Sequence, residues 1–250
     1  MILLSLCSVV FFYLPVRGDQ ASQAFAQANA LYLKGDYAGA AQGYEGILAN
    51  GYENGQLYFN LGNAYYKTGN IQRAILNYER ARKFIPGDDD LQFNLALANL
   101  QIVDKIDVIP RLFIYRWIDG LFSLFSLHTL AWTLYGVFLV TLFSFGYFLF
   151  ARSAGIKRAT LMTGMICSAV LLVGIIIFGV QSYRESNFEY AIVMSDVANI
   201  KAAPDSNGND VFVLHKGLKV QVLDHVDLWR KIRLADGKVG WIPEQDCEVI

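Results

Sequence analysis

Residues Leu130–Phe150 read LAWTLYGVFLVTLFSFGYFLF, and Ala159–Val180 read ATLMTGMICSAVLLVGIIIFGV; neither run holds an Asp, Glu, Lys, Arg or His. Each is long enough to cross the hydrocarbon core of a bilayer as a helix, which takes ~20 residues. Uncharged runs of this length are rare in soluble domains. The link between them, ARSAGIKR (151–158), carries Arg152, Lys157 and Arg158 and no acid. Positive charge in a short loop marks the cytoplasmic side. The pair therefore predicts a membrane hairpin, with transmembrane helices over 129–150 and 159–181, a cytoplasmic loop at 151–158, and both flanking regions on the outer face. Transport by this chain alone is not expected, because transporters need ionisable groups at membrane depth. Gly164, Ser168 and Gly174 are small residues that permit close helix contact or serve as lipid-facing filler.

The chain has 250 residues and is 54% hydrophobic, with the excess concentrated in those two runs. A net charge of -1 lacks the basic footprint that nucleic-acid binding requires. Of the three cysteines, Cys7 lies in the first apolar stretch, Cys167 in the second long run and Cys247 near the end. No intramolecular disulfide is expected, and Cys247 is the thiol that an impermeant reagent would reach if the C-terminal region is exported. His128, His215 and His225 are scattered, without metal-ligand spacing. No nucleophile, base and orienting acid line up. The expectation is a protein that is not an enzyme, with no catalytic residues, no metal and no cofactor.

Met1–Gly18 is apolar from Ile2 to Val16. That run is short for a span and fits a secretion signal peptide, either cleaved before Asp19 or retained as an anchor. From 19 to 106 the chain repeats itself with a period of 34: Gly35-Asp36-Tyr37 matches Gly69-Asn70-Ile71, Ala28 matches Gly62, Leu31 matches Tyr65, Ala40 matches Ala74, and Tyr44 matches Tyr78. The second copy adds Tyr58, Leu61, Ala81 and Pro86. This pattern resembles the tetratricopeptide repeat, in about two and a half copies. Small residues at 28, 40, 62 and 74 let antiparallel helices approach, tyrosines fill the gaps between them, and Pro86 ends a helix. Asp88-Asp89-Asp90 opens one more helix with acids at its N-terminus, expected to cap the all-α solenoid.

The repeat resemblance implies a concave peptide-binding groove showing Phe25, Asn29, Tyr32, Phe59, Asn60, Asn63, Tyr66, Lys67 and Phe93. Asn29 and Asn60 match the asparagines with which related repeats clamp a C-terminal carboxylate. Phe25, Asp90 and Asn94 stand where the clamp's cations belong, so that clamp is not expected. A mobile peptide, another subunit or the chain's own membrane-proximal segment are the candidate occupants.

Residues 107–128 form an amphipathic stretch with Arg116, Asp119, Ser123 and Ser126 on a narrow polar stripe. It reads as an interfacial helix lying on the bilayer, or as a face for a partner membrane helix. A polar linker is expected over 182–189. Residues 190–250 alternate in short strands separated by Ala203-Pro204, Asn207-Gly208-Asn209, Lys216-Gly217 and Asp236-Gly237, which predicts a small all-β barrel. Ala191-Ile192-Val193, Leu214-His215-Lys216-Gly217, Trp229-Arg230-Lys231-Ile232 and Gly240-Trp241-Ile242 resemble a bacterial SH3-like domain. Trp229 and Trp241 are its ligand candidates, or else packing within the barrel.

Signal, tetratricopeptide repeats, amphipathic helix, two-span hairpin and SH3-like domain, in this order and at this size, resemble the E-type proteins of the Bat (Bacteroides aerotolerance) operon. The resemblance implies an inner-membrane protein with both soluble domains in the periplasm. It also implies partners among Bat membrane proteins with von Willebrand factor A domains, and a role in aerotolerance or envelope stress. The expected function is a scaffold for protein–protein interaction. The alternative is a peptidoglycan-binding adaptor that recruits a cell-wall enzyme.

Overall fold

A computed structural model of the chain describes residues 16–106 and 126–250. Most of the expected signal peptide, and the amphipathic stretch up to residue 125, lie outside the described residues.

Five helices come first: α1 (Val16–Leu33), α2 (Tyr37–Ala49), α3 (Gly55–Lys67), α4 (Ile71–Phe84) and α5 (Asp89–Asn99). Four of their starts are capped alike. The side chains of Asp36, Asn54, Asn70 and Asp88 each accept a hydrogen bond from the backbone N–H three residues on, satisfying a donor that the helix leaves free. Gly35 and Gly69 make the tight turns between paired helices at φ 84° and 78°, a conformation that favours glycine. The 34-residue period thus fixes two equivalent helix pairs, α1–α2 and α3–α4, with α5 as the start of a third. Ala28, Ala40, Leu57, Leu61, Ala64, Ala74, Tyr44 and Tyr78 form their core.

Next come two long helices, α6 (Leu127–Phe150) and α7 (Ala154–Asn187). Both are long and apolar enough to cross a membrane. They pack against each other at Gly164 and Gly174, so of the two readings of these small residues it is close helix contact that the structure has. A Cβ on Gly164 would lie 3.1 Å from the Phe145 ring, and one on Gly174 would collide with Leu134. The Ser144 hydroxyl donates to the Thr160 carbonyl at 2.6 Å. The connection is shorter than the sequence suggested, because α7 starts at Ala154 and takes Lys157 and Arg158 into its first turns. At the other end α7 runs on to Asn187, through most of the expected linker at 182–189. Nothing between Gly179 and Asn187 is a glycine or proline, so the backbone ladder continues where side-chain polarity changes.

The C-terminal region is one antiparallel sheet of seven strands: β1 (Glu189–Val193), β2 (Val197–Lys201), β3 (Asp210–His215), β4 (Lys219–Val226), β5 (Trp229–Arg233), β6 (Val239–Pro243) and β7 (Cys247–Val249). Their order in the sheet is β3-β2-β6-β5-β4-β1-β7. Alternate residues point inward, as a two-residue period requires. Ala198 and Ile200, Val220 and Val222, Ile232 and Ile242 meet in the core. Gly240 is needed there because a Cβ would lie 2.4 Å from Ile200.

The sheet docks on the helical domain. On α4, Ile75, Asn77 and Glu79 are buried. Ile192 of β1 joins the helical core, with Met194 and Ile250 packed beside it. Arg80 donates to Glu248 at 2.9 Å and to the Val249 carbonyl at 2.8 Å, and Lys83 donates to the Ile250 carbonyl at 2.8 Å. Lys219 of β4 reaches Glu79 at 2.8 Å, and burial lowers the lysine's pKa. The segment after α5 completes the seam. Ile102 packs on both cores, and Asp104 accepts the His215 backbone N–H at 2.6 Å and lies 2.8 Å from its Nδ1.

Candidate functional site

The same hydrogen-bond unit appears twice in the helical domain, one period apart. The Tyr44 hydroxyl donates to Asn29 Oδ1 at 2.6 Å, and Asn60 Nδ2 donates to the same oxygen at 3.1 Å. The Tyr78 hydroxyl donates to Asn63 Oδ1 at 2.8 Å, and Asn94 Nδ2 donates to it at 2.9 Å. Each tyrosine is buried and held at its ring by a phenylalanine: Phe25 lies 5.8 Å from Tyr44 and Phe59 lies 6.0 Å from Tyr78, centroid to centroid. Burial raises the pKa of both phenols, so both remain neutral donors at any physiological pH. Asn29 and Asn63 each spend their carbonyl oxygen on two donors. The arrangement orients four side-chain amides in a row along one face, with no charge among them.

Asn29, Tyr32, Leu33, Tyr44, Asn60 and Asn63 line a cavity of about 250 Å³. Four of these, Asn29, Tyr32, Asn60 and Asn63, are groove residues expected from the sequence. The others occupy different places. Phe25 and Phe59 are half-buried supports beneath the tyrosines. Tyr66 accepts a 2.6 Å bond from Gln101, Lys67 is exposed at the end of α3, and Phe93 projects from α5 with 66% of its surface exposed. Leu33 and Tyr44 line the cavity without having been singled out for it. Leu33 is 85% exposed, and its signal was an apolar residue directly before the Lys34-Gly35 turn. Asn94, read as a missing cation, completes the amide row.

On the sheet, Trp229 and Trp241 share the outer face, since Trp229 pairs with Pro243 and Lys231 with Trp241. Both are half-exposed, and Lys231 Nζ lies 5.8 Å from the Trp241 ring centroid. The fully buried core of the sheet is built instead from Ala191, Val193, Ile200, Val220, Ile232 and Ile242.

Cys247 is buried, and burial pushes its thiol up to about 11. It is therefore a poor topology reporter in the folded chain, contrary to its reading from sequence. A raised thiol pKa means less thiolate, which is the reacting species. At pH 8, Cys247 of the folded protein is expected to alkylate on the order of a hundredfold more slowly than in the urea-unfolded chain. Mass spectrometry of iodoacetamide-treated samples measures this, and equal rates would contradict the burial.

Residues 55–88 match the tetratricopeptide repeat model, which covers α3, α4 and the following turn. Residues 196–247 match the bacterial SH3 domain, from just before β2 to the start of β7. A search of curated proteins finds no match to the chain. The two matches suggest binding of proteins or of peptidoglycan.

Proposed function

We propose that the chain is a non-enzymatic membrane scaffold that recruits a protein partner through the α1–α2–α3 cavity. The observation that carries this is the uncharged amide row beside Tyr32 and Leu33, which stays open while the sheet occupies α4. Side-chain amides carry donors and acceptors that suit an extended peptide backbone, and Tyr32 and Leu33 supply apolar contact. Neutrality disfavours a ligand held by its terminal carboxylate.

The hairpin gives the scaffold its place. A seam between residues before α6 and after α7 requires both domains on one side of the bilayer, hence an even number of crossings between them. Two spans, α6 and α7, meet that requirement, and the cations Arg152, Lys157 and Arg158 put their turn in the cytoplasm. Both domains then lie in the periplasm. Together with the order of domains, this supports a place in a Bat-type envelope complex, with von Willebrand factor A-domain membrane proteins as partners.

Tyr32→Ala combined with Leu33→Glu tests the cavity. Leu33 is too exposed to matter to folding, so the circular dichroism spectrum should persist. Removing one aromatic anchor and placing a charge there should weaken the partner by ~2 kcal/mol or more, read as its loss from affinity preparations of gently solubilised membranes. Unchanged recovery would take the cavity out of the account. The second reading, an adaptor for peptidoglycan, is favoured by the two tryptophans on the free outer face of the sheet. It predicts that the full chain in micelles sediments with purified peptidoglycan and that Trp241→Ala abolishes this. A chain that stays in the supernatant would remove it.

A further inference from the structure

The β4–β5 hairpin has an apolar tip that folding does not explain. Leu228 is 73% exposed and Val226 40% exposed. Asp227 beside them sits at φ 50°, so the two-residue turn is made without the glycine such turns favour. The sheet register shows where this tip lies. β1 follows α7 after a single residue, so the Glu189 end of β1 is the end nearest the hairpin of long helices. β4 is antiparallel to β1, with Glu189 opposite Val222. β4 therefore continues past the start of β1, toward α7, for the four residues up to Val226. That overhang is ~13 Å at ~3.3 Å per residue. From Val180, the last residue of the apolar run, to Asn187 the helix rises only ~10 Å at 1.5 Å per residue. The overhang is thus about as long as the part of α7 that follows the apolar run. Tyr183, Phe188 and Tyr190, all at least 40% exposed, lie along the same stretch.

From this we infer that the β4–β5 tip is a membrane contact: Leu228 and Val226 sit in the interfacial layer of the bilayer that α7 leaves, with Trp229 behind them at headgroup level. Apolar residues beside a tryptophan or tyrosine suit that layer. Asp227 lies within the tip, between Val226 and Leu228, and Asp224 precedes it; Arg230 is bound to Glu244 at 2.5 Å, and the tip has no excess of positive charge. The contact is accordingly apolar and shallow, and needs no anionic lipid. It fixes the sheet, and through the seam the helical domain, at a set height above the membrane. The inference rests on the reading of α6 and α7 as membrane spans.

The test uses the full chain in phosphatidylcholine nanodiscs, with Cys7 and Cys167 replaced by serine and the buried Cys247 left in place. One nitroxide is attached at Leu228→Cys, or at Ala235→Cys in the exposed turn at the other end of β5, or at Val170→Cys in the middle of α7. Collision with oxygen, which partitions into lipid, is compared with collision with a water-soluble nickel chelate. The oxygen-to-nickel ratio at 228 should be several-fold above that at 235 and below that at 170. A ratio at 228 equal to that at 235, with 170 still in lipid, overturns the membrane contact and leaves the spans intact. Protection of 228 from both reagents overturns it in favour of a protein contact. A ratio at 170 as low as at 235 removes the spans and the contact together.

Discussion

Glu79→Ala is expected to separate the unfolding of the sheet from that of the helical domain. Glu79 is only 6% exposed, and its carboxylate receives both Lys219 at 2.8 Å and Arg82 at 2.5 Å. Lys219 has 29% of its side-chain surface exposed, lies 4.6 Å from the Tyr190 ring centroid, and has Arg82 and Lys83 for neighbours. Removing the acid leaves a half-buried cation among other cations. Breaking such a pair from one side costs about 3 kcal/mol, whereas replacing both partners by apolar groups costs little. Calorimetry should therefore show one transition for the unaltered chain, two for Glu79→Ala, and a return toward one for Glu79→Ala combined with Lys219→Met. A single unshifted transition in Glu79→Ala would mean that the pair does not hold the domains together.

Gly62→Leu should be at least as damaging, by a different route. A Cβ at Gly62 would stand 2.6 Å from two carbons of the Tyr78 ring and 3.3 Å from the Ala74 carbonyl. The ring has nowhere to go: Tyr78 is 1% exposed and its hydroxyl is tied to Asn63 at 2.8 Å. α3 and α4 must move apart, and overpacking of this kind costs about 3 kcal/mol. For a domain of this size that lowers the melting temperature by ~10 °C or more. Because Tyr78 orients Asn63, the amide row should be lost with it. A Gly62→Leu chain melting within a few degrees of the original would show that the two helices are not so closely packed.

The helical domain was legible because its period repeats every determinant at once: cap, glycine turn, small residue and tyrosine. The sheet was legible from alternation and from its turn residues. The seam was not. Glu79, Arg80 and Lys83 look like part of a solvated helix face, and their partners Lys219, Glu248 and the Val249 and Ile250 carbonyls lie more than a hundred residues away in the chain. No local pattern reports a contact across that separation. The burial of Cys247 escaped for a related reason, since a short final strand is recognisable only once β1 is beside it. Asn29, Asn60 and Asn63, which line the cavity, were singled out through the repeat register. Their mutual bonding, and the part of Leu33 and Tyr44 in the cavity, depend on how the helices cross.

The proposed occupant of the α1–α2–α3 cavity is a protein partner in the membrane. The most direct test is a photoreactive benzoylphenylalanine at Tyr32 of the full chain, illuminated in intact cells, with the same group at the exposed Glu53 as the control. The expected result is one discrete adduct from position 32, absent from position 53, whose second component is a membrane protein with a von Willebrand factor A domain. Equal adduct patterns from the two positions, or a product joining the cavity to the chain's own residues, would contradict it.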